Sequence, residues 1–112
     1  MPDSRQKGKR YERYIRRIYS KLYPDCRRGY QSRAGDDEAD VTGTGEYWIE
    51  CKHYHKGGLT FRAMRQAMDA CDMETQAPVV HVHEDNGEHL VVLRLEHWMD
   101  TLERLEDLVG QR

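Results

Sequence analysis

An acid, a tight turn and a strand that closes on Glu-x-Lys occupy residues 40–52: Asp40, then Val-Thr-Gly-Thr-Gly-Glu-Tyr-Trp-Ile, then Glu50-Cys51-Lys52. Side chains two apart on a strand point to one face. Trp48, Glu50 and Lys52 therefore project together, while Tyr47, Ile49 and Cys51 face away. A turn near Thr44-Gly45 folds the two runs into a hairpin and returns Asp40 to the side of Glu50. Val41 and Ile49 are the apolar residues that anchor it to a core. Two carboxylates and one ammonium then meet at one point. Carboxylate oxygens hold a hard divalent cation. Such a cation polarises a phosphate and acidifies a bound water, and a lysine beside it stabilises developing negative charge or orients that water.

The elements around this hairpin read as alternating helix and strand. Arg5 to Tyr23 is predicted as a helix with Tyr11, Ile15, Ile18, Tyr19 and Leu22 on its inner stripe, stopped by Pro24. Glu12 falls in that inward register, where a carboxylate requires a partner. Either one of the neighbouring arginines or the hairpin site supplies it. Residues 25–38 are a loop rich in Arg, Gly and Asp, with Tyr30-Gln31-Ser32 as a short edge strand and Arg27, Arg28 and Arg33 placed to clamp phosphates. Thr60 is the expected N-cap of a helix reaching Ala70 or Met73, with Phe61, Met64, Met68 and Cys71 buried. Gln66 lies off that stripe. Pro78–His83 and His89–Leu95 are strands joined at Asp85-Asn86-Gly87, a strong hairpin signal. Glu96 to Val109 is an amphipathic helix with Trp98, Leu102, Leu105 and Val109 inside, acidic outside and available for a dimer contact. The order gives an α/β fold, a central mixed sheet of four or five strands flanked by helices, in one domain spanning 1–112.

The ordered set is specific as a whole, although E-x-K alone is weak. Lys7-Gly8-Lys9-Arg10-Tyr11-Glu12-Arg13, then Arg33, Asp40, Glu50, Lys52 and Gln66 resemble the PD-(D/E)xK nuclease superfamily. Within it, the chain is most similar to archaeal-type Holliday-junction resolvases and their phage and bacterial relatives, over roughly residues 7–80. The resemblance implies a restriction-endonuclease-like core and a Mg²⁺-dependent endodeoxyribonuclease in which Mn²⁺ substitutes. It implies Asp40, Glu50 and the backbone carbonyl of Cys51 as metal ligands. Glu12, Lys52 and Gln66 are implied as further catalytic residues, and Lys7, Lys9, Arg10, Arg13, Arg33 and Lys56 as DNA contacts. A small resolvase needs two sites on a branched junction, so a homodimer is expected. Two departures stand out: Ala39 precedes Asp40 in place of the motif's proline, which is often absent in this superfamily, and Gly35-Asp36-Asp37-Glu38 is acidic where resolvases usually carry small or hydroxyl residues. The acidic loop keeps flaps, nicks or duplex DNA in phage or mobile-element replication open as substrates.

Charge is divided along the chain. Residues 1–35 carry eleven Lys and Arg against three acids, although the whole chain is at −2. A polyanion needs a local basic surface, not a basic average. The same fold without catalysis, a DNA-binding module, uses that surface too; the complete Asp, Glu and Lys set weighs against it. The histidines at 53, 55, 81, 83 and 89 lack zinc-like spacing and read as polar strand surface or a DNA-facing edge. An HNH-type histidine nuclease lacks its spacing as well. Cys26, Cys51 and Cys71 form no CxxC pair and no disulfide framework. With no long apolar run and no leader-like start, the expectation is a reduced, cytoplasmic protein that does not enter a membrane.

Overall fold

The computed structural model describes residues 4–30, 38–54 and 59–111. Helix α1 (Ser4–Tyr19) leads through turns to β1 (Arg27–Arg28); β2 (Val41–Thr42) and β3 (Tyr47–Tyr54) follow. Helix α2 (Thr60–Ala70) crosses to β4 (Ala77–Glu84), which turns into β5 (His89–Leu93) and then helix α3 (Leu95–Gly110). The five strands form one sheet in chain order. Only β3 and β4 run parallel, in register from Tyr47 beside Ala77 to Tyr54 beside Glu84; the other pairs are antiparallel. The expected α/β architecture with a central mixed sheet is thus the observed one.

Helices cover both faces of this sheet. On one side, Tyr11 and Ile15 of α1 pack with Cys26, Val41, Ile49, Cys51 and Val79. On the other, Ala63, Met64 and Ala67 of α2 pack on Val80 and Val82. The long β3 is buried from both sides, which fits its place as an interior strand with a parallel neighbour. Val41 and Ile49 pair directly and are fully buried, so the apolar anchors of the hairpin are those the sequence marks.

Several boundaries differ from expectation. Helix α1 stops at Tyr19, before Pro24; Ile18 in its last turn and Leu22 in the turn that follows are exposed. The chain must descend there to pair β1 with β2, and the buried stripe ends with Tyr19 lying against the core. A strand forms at Arg27–Arg28, with Arg28 opposite Val41; of the strand expected at 30–32, Tyr30 is described and is not in a strand. Gln31 and Ser32 lie outside the described residues, as do Arg33, Gly35, Asp36, Asp37, His55 and Lys56. Thr60 is the first helical residue of α2; Leu59 is its N-cap and no side chain caps it. Phe61 is exposed and Cys71 only half-buried, since the small residues Ala63 and Ala67 let the helix approach the sheet on another face. Strand β5 ends two residues early, where α3 begins.

Candidate active site

The hairpin turn sets the geometry of the site. Gly43 and Gly45 both take positive φ, +80° and +64°, which β-carbon-bearing residues rarely adopt. Thr44 between them is buried and donates its hydroxyl to the Tyr47 carbonyl at 2.9 Å. The amide of Asp40 donates to the Ile49 carbonyl at 2.9 Å, which brings the acid opposite the end of the Ile49–Cys51 segment. Gly29 is the other requirement. A β-carbon there would lie 1.7 Å from the carbonyl oxygen of Ala39, and its own amide donates to the Asp40 carbonyl at 2.9 Å. The backbone just before Asp40 can pass only because position 29 has no side chain.

Asp40 and Glu50 then meet. The amide of Cys51 donates to Asp40 Oδ2 at 2.8 Å, and the Asp40 carboxyl interacts electrostatically with that of Glu50. Burial pushes the Asp40 carboxyl from its ordinary value up to about 7; the Glu50 charge adds to this, and the Cys51 amide and Lys52 oppose it. Two adjacent carboxyl groups in a poorly hydrated place require a proton or a cation between them. Glu50 is fixed from its other side by the Trp48 indole, which donates to Oε1 at 2.8 Å. Lys52, on the same face, donates to Gln66 Oε1 at 3.3 Å. Helix α2 thereby reaches the lysine through Gln66, which is exposed on its helix.

Glu12 stands differently. Arg28 binds it through Nε at 3.3 Å and Nη2 at 3.1 Å. This is the arginine-partner alternative for its inward register. Burial first and the charge of Asp40 second push its carboxyl upward, while Arg28 and Lys9 pull it down. Glu12 is thus an electrostatic neighbour of Asp40, held by an ion pair of its own. Among the described residues no three His, Cys, Asp or Glu side chains converge as a metal cage. The part of the site that fits a cation is the pressed Asp40–Glu50 pair together with the adjacent Cys51 main chain. The Cys51 thiol points into the core and is pushed strongly upward, by burial and then by Asp40, Glu12 and Glu50, so it is an inert thiol.

The basic residues divide. Lys9, Arg10 and Arg13 line a polar groove of about 320 Å³ on α1 together with Gln6. Lys7 turns to the other flank and pairs with Asp85 at 2.5 Å. Arg27 forms two hydrogen bonds to Glu38, at 3.1 and 2.9 Å. Arg27 and Arg28, expected to clamp phosphates, are thus engaged by carboxylates of the chain itself. Arg33 and Lys56 lie outside the described residues. His81, expected at the surface, is largely buried and shares a 2.8 Å hydrogen bond with the Tyr19 hydroxyl; burial and then His89 pull it down to about 4.

Sequence reasoning placed Asp40, Glu50, Lys52 and Gln66 together, as found. It missed Trp48 as a ligand of Glu50, although its spacing of two from Glu50 on the strand was the available signal. It also missed Gly29, whose need arises from a backbone ten residues away and leaves no local pattern. No protein-family model, curated protein or solved structure matches the chain. Among the described residues no helix is long and apolar enough to cross a membrane.

Proposed function

We propose that the chain is a metal-dependent DNA endonuclease of the PD-(D/E)xK kind, with a structure-selective, Holliday-junction-resolvase-like preference. The observation that carries this is the buried Asp40–Glu50 carboxyl pair with Lys52 beside it on one hairpin. Such a pair is costly for stability alone, because each charge raises the cost of the other. A surplus of that kind, in a defined place, marks a functional group. Asp40, Glu50 and the Cys51 carbonyl would hold Mg²⁺ or Mn²⁺. When bound, the ion supplies Lewis-acid polarisation of the scissile phosphate and an acidified water.

The chain's own residues do the rest. The Cys51 amide and the Trp48 indole fix the two carboxylates in orientation, so little reorganisation remains at the moment of reaction. Lys52, steered by Gln66, brings a positive charge to the phosphoryl oxygens as negative charge builds there. The basic groove on α1, with Lys9, Arg10 and Arg13, takes the flanking backbone phosphates. Arg28 keeps the Glu12 carboxylate in place next to Asp40, where it orders water at the site.

A second copy of the chain is part of this reading. Helix α3 has no buried residue, and Leu95, Trp98, Leu105 and Val109 are exposed along it. Leu90 and Val91 of β5 are exposed beside its start. Strand β5 is the sheet edge two strands away from β3, so two-fold pairing there leaves the acidic site open. One site per strand of a junction then follows from symmetry.

The test is cleavage of labelled four-way junction, flap and linear duplex with Mg²⁺. Paired symmetric cuts on the junction alone are expected. Cutting of flap or duplex instead keeps the metal site and replaces the junction preference. Binding without cleavage of any of them, with Mg²⁺ or Mn²⁺, removes the enzyme reading in favour of a DNA-binding module.

A further inference from the structure

A second cleft, of about 350 Å³, adjoins the polar groove across Arg10, which lines both, and opens between α1 and the ends of β3, β4 and β5. Its walls are rings. His83 and His89 lie face to face, 3.8 Å between centroids and 9° between planes. Tyr14 lies 5.2 Å from His89, and Tyr11 lies 5.5 Å from His83 and is stacked with Tyr14 at 16°. His53, the residue after Lys52 and on the opposite face of β3, adjoins His83 at 4.5 Å. Its Nε2 lies 2.9 Å from Asp85 Oδ1, close enough for an ion pair yet not aligned for a hydrogen bond. Lys7, Arg10 and Arg17 line the same cleft.

Three features point to what this cleft takes. The imidazoles stack on one another and converge no three nitrogens, and the described residues hold no three-ligand metal group, so it is not a cation site. Lys7 is already paired with Asp85, and rings with π-faces beside the two arginines are the surface that stacks a base and pairs with its phosphate. The buried Tyr11 hydroxyl has no hydrogen-bond partner among the described residues, a costly state unless a polar group of a ligand relieves it. The volume is that of a small-ligand pocket, too small for a duplex.

We propose that this cleft holds one unpaired nucleotide of a DNA strand, its base on the Tyr14–His89–His83 wall and its phosphate on Arg10 and Arg17. The proposal rests on the nuclease reading for the polymer that supplies the nucleotide. Helix α1 carries both this cleft and Glu12, and β3 carries both His53 and Lys52, so an unpaired end held here lies one helix and one strand from the carboxylates. The cleft thus adds affinity for a branch point or end that exposes an unpaired nucleotide, relative to a blunt duplex.

The test is fluorescence anisotropy, in EDTA, of a hairpin duplex with a five-nucleotide overhang carrying a 5′-phosphate, against the same duplex with a blunt end. The wild-type chain is expected to bind the overhang more tightly. Tyr14→Ala and, separately, His89→Ala are expected to weaken overhang binding about tenfold and to remove the preference. Both side chains are exposed, so the variants are expected to fold, and circular dichroism checks this. Equal affinity of the wild-type chain for the two ends overturns the proposal. So does an unchanged preference in both variants, or an equal loss on both DNAs, which identifies a phosphate-only surface. Binding is read without divalent ion, so a failure here is distinct from loss of cleavage in Asp40→Asn, which concerns the carboxylate pair.

Discussion

Asp40 gives the site a proton handle whose sign can be worked out. Its folded value of about 7 lies above the unfolded 3.8. Its stabilising contribution is therefore fully present below 3.8 and is lost as pH rises through about 7. His81 acts in the opposite sense, adding stability as pH rises from about 4 to 6.5. Subtraction isolates the first: in EDTA, Asp40→Asn should gain on the wild-type chain by about 3 kcal/mol between pH 5 and 8. Urea unfolding at the two pH values measures it, and a flat difference would place Asp40 in water rather than against Glu50. Gly29→Ala is expected to displace Ala39 and with it Asp40, lowering both melting temperature and cleavage, because backbone oxygen cannot yield as a side-chain tip does. At this scale the sequence discloses which side chains share the candidate site, since a period of two suffices to align Glu50 and Lys52. It does not disclose which backbone Gly29 makes room for or which arginine captures Glu12, each of which depends on a neighbour brought in by the fold.

The hairpin of β2 and β3 is the element on which the site depends. Ile49 and Val41 are fully buried beneath it, so Ile49→Ala is expected to cost about 2–5 kcal/mol, read by chemical denaturation. Lys52 and Gln66 join β3 to α2. Lys52→Ala should lower kcat about 10²-fold or more, and Gln66→Ala should lower it less while leaving stability near the wild-type value. Equal effects from the two would mean that Gln66 itself acts on the substrate. Strand and helix identities follow from periodicity, but the faces of the helices do not. In α2 the large Phe61 is outside and Ala63 and Ala67 are inside, since close approach of helix and sheet selects small residues. An apolar count along the helix therefore finds Met64 and Met68, which pack in the core, but misplaces Phe61 and passes over Ala63 and Ala67.

The molecule extends over 52 × 33 × 27 Å with a radius of gyration of 14.8 Å, against about 13 Å for a compact chain near this length. Helix α3 contributes to that length: it is held by Arg104 to Glu46 and leaves its apolar stripe uncovered. Amphipathic period alone states that a stripe will be covered, not whether its own domain covers it, and here the expectation of an internal stripe fails. Trp98→Asp is expected to convert a two-fold dimer into a monomer in sedimentation without loss of fold, and to uncouple paired cuts on a junction into single nicks. The central claim remains the carboxylate pair. Its most direct measurement is Mg²⁺-dependent cleavage of a labelled four-way junction by the wild-type chain and by Asp40→Asn, with binding followed in parallel. Cleavage by the wild-type chain, lost in Asp40→Asn while binding persists, is the predicted result. Cleavage that survives Asp40→Asn undiminished would contradict it.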